Sequence, residues 1–121
     1  MKKDSYYDLI IVGQGLAGSI LALQCLFEGK TLLIIDDPTL TNSSKVAAGI
    51  WNPVVFKRLT KSWMADEIIP YLNTFYQKAE TILNHKLTTQ LDILKILPNE
   101  NEINFWKEKS TSEMKNYLDD Q

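Results

Sequence analysis

Leu9-Ile10-Ile11-Val12-Gly13-Gln14-Gly15-Leu16-Ala17-Gly18 is the stretch on which the reading of this chain turns. Its first four residues are apolar and mostly β-branched, the pattern of a central strand in a parallel sheet covered on both faces. Glycines at 13, 15 and 18 then punctuate the chain. Leu16, Ala17, Ile20, Leu21, Leu23, Leu26 and Phe27 predict a helix over 16–27 with little polar surface, which must be largely buried. Glu28-Gly29 ends it, because glycine accepts the left-handed turn that closes a helix. Thr31 to Ile35 predicts a second buried strand, closing on Asp36. Together these form a βαβ unit, whose crossover should be right-handed.

The glycines stand as a GxGxxG pattern that follows a strand, opens a helix and precedes an acid at the end of the next strand. Each has a mechanical reason. Gly13 permits the tight turn, Gly15 lets backbone approach a pyrophosphate, and Gly18 lets the helix press against the strand. The unpaired N–H groups of the helix's first turn, at its positive end, suit phosphate. Asp36 is placed to accept hydrogen bonds from adenosine ribose hydroxyls, and a carboxylate there repels a 2′-phosphate, which disfavours NADP. The unit therefore predicts dinucleotide binding, with FAD and NAD presenting the same adenosine diphosphate half.

From Pro38 to Ser62 the periodicity stops, yet Val46-Ala47-Ala48-Gly49-Ile50-Trp51 is apolar enough to predict an ordered, functional loop. Ile68, Leu72, Phe75, Tyr76, Ala79, Ile82 and Leu83 fall on one helical face, with Pro70 starting or kinking the helix. Leu91 to Leu97 alternates like a half-buried strand that Pro98 stops. Asn99 then reads as the N-cap of a short helix carrying Ile103 and Phe105-Trp106. Ser110 to Gln121 is polar and receives no element.

The loop Thr41-Asn42-Ser43-Ser44-Lys45-Val46-Ala47-Ala48-Gly49-Ile50-Trp51-Asn52-Pro53 separates FAD from NAD. Hydroxyl residues, then V-A-A-G, an aliphatic residue, Trp, an amide and Pro after the second strand resemble the D-amino-acid oxidase and glycine oxidase superfamily of FAD-dependent oxidoreductases. The resemblance extends over residues 6–83 and is weak beyond. It implies an α/β fold, with a Rossmann-like FAD-binding βαβ unit and flavin-contact loop over 1–61. The helical and strand segment 62–121 would lead into the start of a substrate domain. It implies FAD as cofactor, an amine or amino acid as substrate, and oxidation of a C–N bond. Gly13, Gly15, Leu16, Ala17 and Gly18 would meet the pyrophosphate, Asp36 the adenosine ribose, and Asp37 would lie beside it. Ser43 and Ser44 match hydroxyl positions on the phosphate–ribityl portion, and Ala48, Gly49 and Ile50 match backbone against the isoalloxazine ring. Family members are much longer, and their later strands, substrate-binding arginine and glycine-rich C-terminal segment have no counterpart here. The expectation is a fragment, a truncated frame or half of a split enzyme, inactive alone and associating with itself or with a missing C-terminal partner.

Composition narrows the alternatives. Of the 121 residues, 45% are hydrophobic, too many for a disordered segment, and the net charge of −2 argues against a nucleic-acid partner. Cys25 is the single cysteine, so no internal disulfide is available; mid-helix among apolar neighbours it reads as a packed, inert thiol. No apolar run approaches the ~20 residues of a membrane helix, and Asp4 and Asp8 interrupt any signal core behind Lys2 and Lys3, so no membrane and a cytoplasmic location are expected. Asn42-Ser43-Ser44 matches a glycosylation pattern by accident. His85 lacks the companions of a metal site, Lys57, Arg58 and Lys61 read as a solvated loop face, and Trp63, Phe75 and Tyr76 as core. No catalytic residue and no metal ligand is assigned. The rivals are an NAD-binding dehydrogenase module and a non-catalytic accessory subunit.

Overall fold

A computed structural model of the chain describes residues 6–111 and 114–118, so the Lys2–Asp4 start and parts of the polar tail lie outside the described residues. The chain is mixed α/β, with a small parallel sheet and four helices among those residues. It divides into two compact units between Ile50 and Trp51, whereas the sequence places a boundary after Lys61.

The first unit contains strand β1 (Leu9–Val12), helix α1 (Leu16–Phe27), strand β2 (Leu32–Ile35) and the one-turn helix α2 (Ser43–Val46). β1 and β2 pair in parallel, with Leu9 opposite Leu32 and Val12 opposite Ile35. A polar clamp sets this register. Asp8 N–H donates to the Thr31 carbonyl at 2.9 Å, while Thr31 returns both its N–H and its hydroxyl to Asp8 Oδ2, each at 2.8 Å. These bonds hold the Asp8 carboxyl below its ordinary value, the Thr31 N–H contributing most.

Helix α1 ends as its sequence dictates. Gly29 sits at φ +71°, its N–H bonds the Leu26 carbonyl, and Lys30 N–H bonds the Cys25 carbonyl at 2.9 Å. This is the paired 5→2 and 6→1 pattern of a Schellman stop. Burial departs from expectation. Ile11 and Ala22 are the buried apolar residues of this unit, whereas Val12 is 82% and Leu16 61% exposed. Two strands and one helix cannot cover both faces of a sheet, so an apolar pattern suited to full burial here lies half open. Cys25 is half-buried, in keeping with a packed thiol.

The second unit opens on an antiparallel hairpin, β3 (Val54–Val55) and β4 (Thr60–Lys61), with Val54 opposite Lys61. The periodicity-free stretch thus contains α2 and this hairpin, elements too short to leave a repeating pattern. Leu59, in the hairpin turn at φ +45°, is 1% exposed and packs with Val54, Met114 and Leu118. Phe56, Trp106 and Tyr117 surround that cluster. The tail that reads as polar therefore supplies half of this core, through two apolar residues spaced i, i+4 that its charged neighbours obscure.

Helix α3 (Ala65–Leu83) starts five residues before Pro70, which lies in its second turn. Proline does not start this helix, which continues through it from Ala65 to Leu83. Met64, in the left-handed region at φ +53°, accepts the Glu67 and Ile68 amides and begins the helix without a side-chain signal. Phe75 and Ala79 are buried on the expected face, and Tyr76 meets Phe75 edge-on at 5.4 Å. Trp63 is 82% exposed, which removes it from the core set. Asp66 accepts from Lys61 Nζ and from the Tyr117 hydroxyl, tying hairpin, helix and tail together; these bonds lower the Asp66 carboxyl and raise the Tyr117 phenol.

Leu91 to Leu97 forms no strand, and Leu94 is 91% exposed. Alternation alone cannot make a strand without a partner edge to supply hydrogen bonds. Helix α4 (Glu100–Ser110) begins where expected: Asn99 Oδ1 accepts the Glu102 amide at 3.0 Å. Glu100 and Glu102 in its first turn and Lys107 and Lys109 in its last complement the helix dipole.

One contact decides how closely α1 lies on the sheet. A Cβ on Gly18 would stand 2.1 Å from the Gly13 carbonyl oxygen, backbone that cannot rotate away. Gly18→Ala is expected to lower stability by about 1–3 kcal/mol, the usual cost of overpacking. Denaturant titration of the full chain measures it, and an unchanged midpoint would show that α1 is free to shift outward.

Candidate functional site

The candidate site lies where β1 gives way to α1. Gly13 turns the chain at φ +93°, a conformation L side chains rarely adopt, and its N–H donates to the Ile35 carbonyl at 2.8 Å. Strand pairing thus continues into the glycine loop, and it delivers the residue after Ile35 to the residue after Gly13. Gln14 N–H donates to Asp36 Oδ1 at 2.9 Å. The acid at the end of β2 is therefore fixed beside the loop by a charge-assisted bond.

Gly15 is the N-cap of α1, so it offers no side chain to the first-turn amides, and no acid occupies that turn. The positive end of the helix is met from elsewhere in the chain: Leu16 N–H donates to Ser44 Oγ at 2.8 Å. Ser44 lies close over the loop, since a Cβ on Gly15 would come within 3.2 Å of its hydroxyl oxygen.

The segment from Asp36 to Ser44 is itself braced. Asp37 Oδ1 accepts the Thr39 hydroxyl at 2.6 Å and the Thr39 N–H at 2.9 Å, which closes a turn and holds the Asp37 carboxyl below its ordinary value. Asn42 caps α2, its Oδ1 accepting the Lys45 N–H at 3.1 Å. Lys45 Nζ reaches back to the Pro38 carbonyl at 2.8 Å and the Leu40 carbonyl at 2.9 Å.

Hydrogen bonds and close approach thus bring Gly13, Gly15, Leu16, Gly18, Asp36 and Ser44 together, with Ala17 in the same helical turn. Asp37 is committed to its own turn, and Ser43 opens α2, its carbonyl accepting the Ala47 N–H. Ala48, Gly49 and Ile50 are exposed, with Gly49 at φ +69°, and no hydrogen bond joins them to the glycine loop among the described residues.

No known protein-family profile matches the chain, and no solved structure matches it.

Three residues of the arrangement escape the motif. Gln14 contributes only backbone, so its identity carries no signal. Asn42 reads as a glycosylation match, although an Asn three residues before the amide it caps is also an N-cap pattern. Lys45 bonds main-chain carbonyls, which leave no trace in sequence. Elsewhere, Lys57 and Arg58 are exposed in the hairpin turn, while Lys61 is held by Asp66. Among the described residues, no three His, Cys, Asp or Glu side chains are placed to hold a metal ion, and no helix is long and apolar enough to cross a membrane.

The Asp37 turn gives an acid-sensitive signature. Because its folded pKa is lowered, its contribution is complete above the ordinary carboxylate value and is lost as pH falls through the lowered one. The Thr39 amide resonance should hold its hydrogen-bonded position down to about pH 4 and move below it, and Asp37→Asn should abolish that step. An unchanged step in Asp37→Asn would assign it to another group.

Proposed function

We propose that the first unit is a Rossmann-like FAD-binding βαβ unit of a flavin-dependent oxidoreductase. The reading rests on one observation above the others: Asp36, at the end of β2, is bonded to the glycine loop itself through the Gln14 amide. An acid in that place is what adenosine ribose recognition requires. Its Oδ2 carries no hydrogen bond among the described residues and is exposed, so it is available to a ligand hydroxyl.

The residues present fit the cofactor by two further tests. The loop carries no side chain at Gly13 or Gly15, which suits close approach of a pyrophosphate, and Gly18, where backbone excludes a Cβ, lets α1 press against β1. The first turn of α1 has neither an acid nor an N-cap side chain, and the group that meets it is a neutral hydroxyl, leaving the positive end uncompensated. In this reading Gly13, Gly15, Leu16, Ala17 and Gly18 line the pyrophosphate, with the amides of Gly15, Ala17 and Gly18 as its donors, since those of Gly13, Gln14 and Leu16 are given to Ile35, Asp36 and Ser44. Asp36 binds the ribose, with Asp37 alongside. Ser43 and Ser44 take the phosphate–ribityl portion, and Ala48, Gly49 and Ile50 lie on the ring side. FAD supplies a two-electron acceptor, which the D-amino-acid oxidase resemblance would direct to a C–N bond of an amine or amino acid. The chain's own contribution is to bind and orient; no side chain is assigned a proton or a covalent step.

The FAD reading is favoured over the NAD one by V-A-A-G and its flanks after Ser44. Titration of the chain with FAD, NAD and ADP, followed by flavin fluorescence and absorbance, tests it. FAD and ADP should bind competitively, and Asp36→Ala should weaken FAD by about 1.5–3 kcal/mol, the range for hydrogen bonds to a charged group. Binding of NAD alone would replace the flavin reading with a dehydrogenase one. Binding of none would remove both.

A further inference from the structure

We propose that Lys45 is the positioning residue of the site, holding Ser44 on the N-terminus of α1. The inference rests on the nucleotide-binding reading for its function, though not for its geometry.

The segment from Asp36 to Ser44 touches the glycine loop at its two ends only, through Asp36 on the Gln14 amide and Ser44 on the Leu16 amide. Between them runs an exposed stretch with little burial to hold it; of residues 36–44 only Asn42 is even half-buried. Its shape must come from polar bonds. The Asp37–Thr39 turn shapes the first half and the Asn42 cap shapes α2. Lys45 alone spans the two halves, from α2 back to the Pro38 and Leu40 carbonyls. Removing its ammonium leaves two carbonyls to solvent and frees α2 to swing on the 40–42 connection. Ser44 is the residue adjacent to Lys45, so that swing lifts its hydroxyl from Leu16.

A charge argument points the same way. No carboxylate lies within ion-pairing distance of Lys45 among the described residues, so the cation is compensated only by carbonyl dipoles. A fixed, unneutralised positive charge in the segment that faces a helix N-terminus favours a diphosphate over a neutral ligand. Lysine suits the bracing task, because its ammonium has donors enough for two carbonyls at once.

Lys45→Met and Lys45→Arg distinguish the possibilities, the first keeping length without donors and the second restoring charge and donors. In the free protein, amide exchange at Leu16 reads whether Ser44 is in place. It should quicken at least about tenfold in Lys45→Met, with exchange at Ile11 and Ile34 unchanged, and return towards the original rate in Lys45→Arg. ADP, used as the probe, should bind about tenfold more weakly to Lys45→Met, as expected when a preorganised contact is lost, and recover in Lys45→Arg. Unchanged Leu16 exchange in Lys45→Met overturns the proposal. So does quickened exchange spread evenly over the strands, which would mean general destabilisation. Failure of the unsubstituted chain to bind ADP, with the exchange result intact, would overturn the nucleotide reading and leave Lys45 as the brace of this segment.

Discussion

Everything at the β1–α1 junction depends on how closely two pieces of backbone approach. Gly18, in the first turn of α1, lies so near the Gly13 carbonyl that a single added carbon would overlap it. That approach sets the start of the helix over the end of the strand. It also requires Gly13 to leave β1 at φ +93°, because an ordinary backbone conformation would carry the chain away from the helix. Once the turn has that shape, the Gly13 N–H still reaches Ile35, and the Gln14 N–H is left facing the residue that follows β2. Asp36 is there to accept it. The acid's place is therefore a consequence of parallel pairing plus one glycine turn.

The polar segment that follows is arranged differently. It is held by exposed hydrogen bonds, each modest because water competes for its partners, and by almost no burial. Its order comes from their number and from the fact that several share atoms. Asp37 Oδ1 accepts two donors from Thr39, Lys45 Nζ donates to two carbonyls, and the Asn42 side chain bonds the backbone of that same lysine. Bonds that share partners reinforce one another, since forming the first removes most of the entropy that would oppose the second.

How much of this was legible in the sequence divides along physical lines. The spans of β1 and α1, the Gly29 stop and the Asn99 cap follow from apolar runs and single-residue backbone preferences, which act locally. Leu91 to Leu97 shows the limit of such reasoning: its alternation describes a strand, but a strand also needs an edge, and edges are not local. Pro70 and Met64 show another. A left-handed residue without a capping side chain starts α3, and nothing in the type of residue announces it. Met114 and Leu118 fill the second unit's core from within a polar tail, because two buried positions one turn apart suffice to anchor a segment. At the site, Gly13 and Gly18 were readable as turn and close-approach positions, since a positive φ and an excluded Cβ demand glycine. Gln14 and Lys45 were not, because one works through its N–H and the other bonds carbonyls that every residue possesses.

The distribution of order in the first unit bears on what a ligand would do there. Its sheet has two four-residue strands, and much of the apolar surface of β1 and α1 is exposed, so packing is a modest source of stability. The polar bonds, by contrast, concentrate at the glycine-loop end, with the Asp8–Thr31 clamp at the other. A ligand that bonded the loop amides and Asp36 would act on the same groups that fix the unit's geometry. Its binding free energy would then appear directly as folding free energy, rising with ligand concentration as RT ln(1 + [L]/Kd). In a domain with a large core that increment is a small correction. Here, where few side chains are buried, that increment would be comparable to the contribution of the polar bonds themselves, and such a ligand would reinforce an arrangement of the 36–45 segment that those bonds already hold.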